Sequence, residues 1–260
     1  MKFDAAIFDW AGTMIDFGSF APMGVFVEAF AKFGVTATID EARGPMGSPK
    51  RAHIQAMMAM PSIRGQWQAK HGRAPTEEDV DAVYEIFVPM NEAVAPKYAT
   101  LVPGAKATLD ALAAKGIRVG STTGYVRSIM KGVIPVAAEQ GFSPECIVCA
   151  DDVTGGRPGP EQMFLAFEQM SLNSGAKVLK VDDTEPGIAE GVAVGAVTVG
   201  VALSGNIAGL TPEDLAALPP AEVDAIRAKA AGILRGAGAH HVIDTVADLP
   251  ALIERLEAEG

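Results

Sequence analysis

The sequence predicts an α/β fold: a Rossmann-like, doubly wound parallel sheet with a helical cap inserted into it. Three observations point there. Short apolar runs recur along the chain, stretches of helical apolar spacing separate most of them, and the segment from about Gly18 to Thr100 lacks any convincing strand. In such sheets the ligand crevice lies at the carboxyl ends of the strands.

The first run, KFDAAIFDW from Lys2 to Trp10, stops at an acid followed by Ala11-Gly12-Thr13, which reads as a buried strand ending in a tight turn. Further strands are expected at Ile117–Gly120, Cys146–Ala150, Val178–Val181, Val197–Val201 and His241–Ile243. Helical spacing marks Ala105–Ala114, Glu161–Met170 and Gly187–Val194 between them. In the insertion it marks Met23–Phe33, Arg51–Met60 and Glu77–Ala95, and Pro103-Gly104 signals the return to the core. The stretch Gly205–Gly238 is rich in Ala, Leu and Glu and reads as helical, with Thr211-Pro212-Glu213 as its start signal. The expected organisation is therefore a core of residues 1–18 and 101–260 with a cap of residues 19–100.

Composition narrows the class of function. The 260 residues are 49% apolar and 20% charged, enough to fill a globular core, and the formal charge is −11. That acidity disfavours nucleic acid and anionic membranes as partners, since both need a basic footprint. Two cysteines cannot form a disulfide framework, the N-terminus lacks the order of a secretory signal, and no stretch approaches the roughly 20 apolar residues of a membrane span. A cytoplasmic protein is expected.

Candidate chemistry sits at the strand ends. Asp9, after the first strand and before a glycine turn, is placed in the crevice as a nucleophile or a metal ligand, or else as a cap for the turn. Asp182-Asp183-Thr184 follows the strand VLKV, and two strand-end acids far apart in sequence can converge on one Mg²⁺, a cation that prefers oxygen ligands. Ser121-Thr122-Thr123-Gly124 follows a third strand with hydroxyls and backbone N–H groups suited to phosphate. Arg157, in Gly155-Gly156-Arg157-Pro158, adds a fixed cation.

Asp9, the Ser/Thr cluster, Arg157 and Asp183, in that order, resemble the four motifs of the haloacid dehalogenase-like superfamily of aspartyl-phosphate enzymes over nearly the whole chain. Five segments resemble its phosphonatase branch: FDWAGT at Phe8–Thr13, FAPMGVF at Phe20–Phe26, PMGSPKRAH at Pro45–His53, GSTTGY at Gly120–Tyr125 and GRPGP at Gly156–Pro160. Phosphatases of the superfamily carry a general acid two positions after the nucleophile. Here that position is Ala11, and an unprotonated alkoxide is a poor leaving group. A protonated lysine imine is the alternative electron sink.

The resemblance implies hydrolysis of the carbon–phosphorus bond of phosphonoacetaldehyde. Lys50 would form the imine, Asp9 would attack phosphorus, and Mg²⁺, Arg157 and Thr123 would offset charge on the phosphoryl oxygens. Lys50 and His53 share a helix face if a helix begins near Pro49, and desolvation or a nearby cation, His53 among the candidates, would supply the neutral amine. The implied metal ligands are Asp9, Asp183 and the Ala11 carbonyl. Gly12 supplies a turn N–H, Ser121, Thr123 and Gly124 the phosphate loop, and Met46 and Tyr125 the pocket walls. A homodimer through the cap is implied, with the apolar Met23–Phe33 helix as its candidate surface. Two departures stand out: Gly187 replaces a later metal-site acid, with Asp182 or Glu185 as outer-shell substitutes, and Ser19 replaces a Cys of some relatives. Alternatives are an ordinary phosphatase or phosphomutase of the same superfamily, or a non-catalytic phosphate-binding relative. Cys146 and Cys149, His240-His241, and Met57, Met58 and Met60 are expected to pack rather than to bind metal or cofactor.

Overall fold

The computed structural model describes residues 2–173 and 175–259. Six strands form one sheet: β1 (Ala5–Phe8), β2 (Arg118–Thr122), β3 (Ile147–Val148), β4 (Val178–Asp182), β5 (Val197–Val201) and β6 (His241–Ile243). All pairs are parallel, in the order β3-β2-β1-β4-β5-β6. This is the expected doubly wound sheet. The strand order reverses between β1 and β4, where such sheets place their crevice.

Buried on both faces, β1 and β4 consist of apolar residues apart from two positions, Lys180 and Asp182. Their register pairs Phe8 with Val181, and the Asp9 N–H extends the ladder to Val181 O at 3.0 Å. The end of β1 is thereby tied to the end of β4. In β2 the strand runs on past Gly120 to Thr122, so two of the expected phosphate-loop hydroxyls belong to the strand rather than to the turn.

Between β1 and β2 lie helices α1 (Ala21–Lys32), α2 (Ile39–Arg43), α3 (Lys50–Ala59), α4 (Pro61–His71) and α5 (Glu77–Val94). They share an apolar cluster of their own, including Met23, Phe26, Phe30, Met57, Trp67 and Phe87. Phe26 stacks on Phe87 at 4.2 Å between ring centroids. The apolar face of α1 is thus used within the chain, and Gly24, Glu28 and Ala31 form part of its exposed side. Met57 and Met58 pack in this cluster with Met60 against it, while Cys146 and Cys149 are buried free thiols.

The core helices are α6 (Ala105–Lys115), α7 (Arg127–Glu139), α8 (Glu161–Gln169), α9 (Glu185–Ala193), α10 (Pro212–Ala217), α11 (Pro220–Gly236) and α12 (Leu249–Glu259). Thr211 caps α10, accepting from Asp214 N, as its start signal requires. Four helices, α2, α4, α7 and α12, were not anticipated. Gly132 and Pro135 read as breakers inside α7, yet a Cβ at Gly132 would lie 2.6 Å from Pro96, so glycine is needed there for packing rather than for a turn.

Phe26→Ala should remove the stacked centre of the helical insertion and lower the unfolding free energy by about 3–5 kcal/mol, measured as a reduced urea midpoint with unchanged slope.

Candidate active site

The loop that follows β1 starts the site. Asp9 is 6% exposed. Gly12 adopts φ +83°, and a Cβ there would lie 2.3 Å from Asp183 Oδ2, so only glycine lets the loop approach the second acid. The Gly12 N–H is bonded inside the turn, to Ile15 O at 2.8 Å and Asp16 O at 3.1 Å, and is not presented to a ligand. Asp183 accepts from Thr13 Oγ1 at 3.1 Å and Asn206 N at 2.7 Å, each bond occupying one carboxylate oxygen and leaving lone pairs on both.

Carboxylate oxygens of Asp9, Asp182 and Asp183 lie within 4.8 Å of one another, all buried. Burial, then the charge of Asp182, pushes Asp9 up to about 6 against the pull of Arg157. Burial and the charge of Asp9 push Asp183 well above the usual carboxylate range. Crowded, desolvated acids of this kind fit a divalent cation through oxygen ligands. The three acids differ in what already holds them. Asp182 Oδ1 accepts from Thr184 N and Oγ1, and its Oδ2 is 3.1 Å from Lys180 Nζ and 3.3 Å from Arg157 Nη2. Burial raises Asp182, but Arg157 and Lys180 outweigh it and the acid stays below its ordinary value. Of these acids Asp9 lines a cavity, and Ala11 lines it too.

Gly187, where a later acid stands in related motifs, faces Asp182: a Cβ there would lie 1.9 Å from Asp182 Oδ2. Asp182 therefore occupies the space that a side chain at 187 would need. Glu185 is exposed.

Of the Ser/Thr cluster, only Thr123 lines the cavity, with Gly124 and Tyr125. Its Oγ1 accepts from Tyr125 N at 3.1 Å. Ser121 Oγ instead donates to Cys146 O at 3.1 Å, and Thr122 Oγ1 turns to Glu190, Arg157 and Lys180. Strand alternation separates Ser121 from Thr122.

Arg157 is 5% exposed, and its Nη1 lies 2.8 Å from Asp9 Oδ1. Burial disfavours its charge, but Glu190, Asp182 and Asp9 together raise it above the normal guanidinium value.

Lys50 opens α3 and is 3% exposed. Its Nζ sits 3.9 Å from Met46 Sδ, 5.0 Å from the Tyr125 ring centroid and 5.8 Å from that of Phe26. Burial lowers Lys50 to about 8, helped by Arg157 and opposed by Asp9 and Asp183. His53, on the same helix, is fully buried and stacked on Phe26 at 4.0 Å. Its Nε2 meets Ala42 O at 2.8 Å, which requires the proton on Nε2, and Nδ1 has no partner among the described residues. Burial, then the charge of Lys50, holds His53 well below its ordinary value, so the imidazole is neutral. The cation that depresses Lys50 is therefore Arg157 rather than His53.

Two glycines join the helical insertion to the core loops: a Cβ at Gly47 would meet Thr184 Oγ1 at 2.2 Å, and one at Gly124 would meet Ser48 O at 3.0 Å. The resulting cavity, lined by Asp9, Lys50, Thr123, Arg157 and their neighbours, measures about 20 Å³. Ser19 and Tyr125 are among its lining residues, and their hydroxyls are buried without a partner among the described residues. A larger cleft of about 440 Å³ near Phe164, Lys177 and Val197 lies at the opposite end of the sheet, and no acid or thiol among the described residues lines it.

Sequence reasoning missed Lys180, Glu190 and the inward turn of Thr122. A lysine inside an otherwise apolar strand of a two-sided sheet was the available signal.

The haloacid dehalogenase-like hydrolase family model matches residues 3–195. The chain is 51% identical over 254 residues to the phosphonoacetaldehyde hydrolase of Paraburkholderia phytofirmans, covering 98% of this chain and 95% of that protein. It is 45% identical over 259 residues to that of Klebsiella pneumoniae, covering 99% and 96%. The crystal structure of a phosphonoacetaldehyde hydrolase-like protein from Oleispira antarctica superimposes with a TM-score of 0.96 at 41% identity, covering 100% of this chain and 94% of that one.

Because Asp9 and Asp183 bind protons more tightly than free carboxylates, a divalent cation that occupies their oxygens must displace protons. Titrating the metal-free protein calorimetrically near pH 6, in buffers of different ionisation enthalpy, should show proton release, with affinity rising as pH increases through about 6.

Proposed function

The chain belongs to the haloacid dehalogenase-like hydrolase family and, within it, to the phosphonoacetaldehyde hydrolases, and from that membership we propose that it hydrolyses the carbon–phosphorus bond of phosphonoacetaldehyde to acetaldehyde and phosphate. The observation that carries the reading is the meeting of a desolvated amine, Lys50, with a carboxylate, Asp9, and a guanidinium, Arg157, in the lining of one cavity.

In the proposed mechanism the neutral Lys50 amine adds to the aldehyde carbon, and the carbinolamine takes up a proton and loses water to give a protonated imine. An Asp9 oxygen attacks phosphorus, and the electron pair of the breaking C–P bond passes to the imine nitrogen, leaving an enamine. Protonation at carbon and hydrolysis return acetaldehyde and free Lys50. Water then releases phosphate from Asp9. His53 does not line the cavity; its neutral Nδ1, without a partner among the described residues, would carry protons during the imine steps. Arg157 and Thr123 orient the phosphoryl oxygens, while Gly12, Gly124 and Ser121 shape the loops around them. Met46 and Tyr125 keep water from the imine.

Asp9 and Asp183, with the Ala11 carbonyl, would hold Mg²⁺, which offsets charge on the phosphoryl oxygens when bound. The cavity has room for about one water-sized sphere. We propose that the segment carrying Lys50 moves off the loops carrying Asp9 and Thr123 as substrate enters, residues 19–100 acting as a cap on a core of 1–18 and 101–260. Pairing of two copies through the cap would use the exposed side of α1, around Gly24, Glu28 and Ala31. Two unbridged thiols suit the cytoplasm. No helix among the described residues is long and apolar enough to cross a membrane.

The phosphatase alternative lacks support at Ala11. Without a general acid there, an alkyl phosphate monoester should turn over roughly 10²–10⁴-fold more slowly than by an acid-equipped relative, as read from phosphate release.

Borohydride reduction in the presence of phosphonoacetaldehyde should place an ethyl adduct on Lys50. Lys50→Arg should lose both the adduct and phosphate release, the latter by roughly 10³-fold or more. At pH 7 a pKa of about 8 leaves about one amine in ten neutral, against roughly three in ten thousand for an ordinary lysine. Trapping should therefore speed up as pH rises toward 8 and level off above it. A flat profile from pH 6 to 9 would contradict the assignment.

A further inference from the structure

Lys180 lies in the middle of β4 with no exposure at all, where the sheet is covered on both faces. A lysine there persists only if fully paired. It is: Nζ lies 3.0 Å from Glu190 Oε2, 3.1 Å from Asp182 Oδ2 and 2.7 Å from Thr122 Oγ1. Strand alternation places Lys180 and Asp182 on one face of β4. Glu190 arrives from α9, and the helix can come close because residue 191 is glycine; a Cβ there would lie 2.7 Å from Lys180 Cβ.

The same groups hold Arg157 from behind. Its Nε is 3.1 Å from Glu190 Oε2, and its Nη2 donates to Thr122 O at 3.1 Å and Thr122 Oγ1 at 2.9 Å. Thr122 Oγ1 accepts from both cations and donates to Glu190 at 2.9 Å, which exhausts its hydrogen-bonding capacity. With Nε and Nη2 fixed, Nη1 is the nitrogen presented to Asp9, at 2.8 Å. Two cations thus face four buried acids, Asp9, Asp182, Asp183 and Glu190, and Arg157 is shared among three of them.

We propose that Glu190, Lys180 and Thr122 are positioning residues, which act through Arg157 by holding its Nε and Nη2 so that Nη1 faces the phosphoryl group beside Asp9. Apolar residues of similar volume would fill this space at less desolvation cost. What they could not do is fix the rotation of a guanidinium, whose planar fork recognises phosphoryl oxygens in one orientation.

The proposal rests on the reading that Arg157 contacts the phosphoryl group, and the test separates the two. Glu190→Gln and Thr122→Val are compared with the wild-type enzyme, loaded with Mg²⁺, for phosphonoacetaldehyde turnover, calorimetric binding of inorganic phosphate, borohydride trapping at Lys50, and Tm. Expected is a rise of about tenfold or more in KM and in the phosphate Kd, with trapping at saturating aldehyde kept within about twofold of wild type. A lowered Tm with phosphate Kd and KM unchanged would overturn the proposal and leave these residues a purely structural role. Should Glu190→Gln not fold, the uncharged, near-isosteric Thr122→Val decides by the same readouts. If wild type itself releases no phosphate from phosphonoacetaldehyde, the reaction assignment falls, while the phosphate Kd ratio still judges the positioning.

Discussion

Four carboxylates, Asp9, Asp182, Asp183 and Glu190, are gathered at the carboxyl edge of the sheet with almost no access to water. Like charges in a medium of low dielectric repel strongly, and burial alone penalises each one. Arg157 is the counterweight. It reaches Asp9, Asp182 and Glu190 at once, and Lys180 ties two of the same acids from below. The chain order that makes this possible is topological: β1 and β4 are neighbours, so acids 173 positions apart in sequence end on the same edge.

Desolvation does opposite work on the two groups proposed to react. It lowers Lys50 toward a usable amine and raises Asp9 toward the protonated form. A nucleophilic amine gains from this, whereas a nucleophilic carboxylate needs compensation from cations. Arg157 supplies part of it and a divalent cation fits the remainder. The same charge on Arg157 also helps to keep Lys50 neutral, which couples the two halves of the site electrostatically although they belong to the helical insertion and the core. His53, one helical turn from Lys50, was expected among the candidate cations; burial removes its charge and leaves it an acceptor.

The glycines mark where the two halves meet. Gly12 admits Asp183, Gly47 admits Thr184, and Gly124 admits the backbone of residues 47 and 48. Each is a place where a methyl group would separate groups that the chemistry needs close together. At Gly187 the carboxylate of Asp182 takes the space that a side chain would need.

Much of this was legible in the chain itself. The apolar runs and helical spacings determined the sheet, most of the helices and the insertion, because burial on two faces or one leaves a period that can be read directly. Asp9, Asp183, Thr123 and Arg157 were legible as strand-end and loop residues, and Lys50 through the segment around it. The sequence could not decide which hydroxyl of Ser121, Thr122 and Thr123 faces the cavity, since that depends on where β2 ends and on strand alternation. It could not decide that the Gly12 N–H is bonded within its own turn, that Lys180 is a paired ion in the core, or that Asp182 fills the space beside Gly187. Those are matters of direction and distance between residues remote in sequence. Local patterns determine which elements form; only the packing of β4 and α9 against the loop of Arg157 decided how the charges cancel, because Coulomb and desolvation energies depend on separations that exist only in the folded chain.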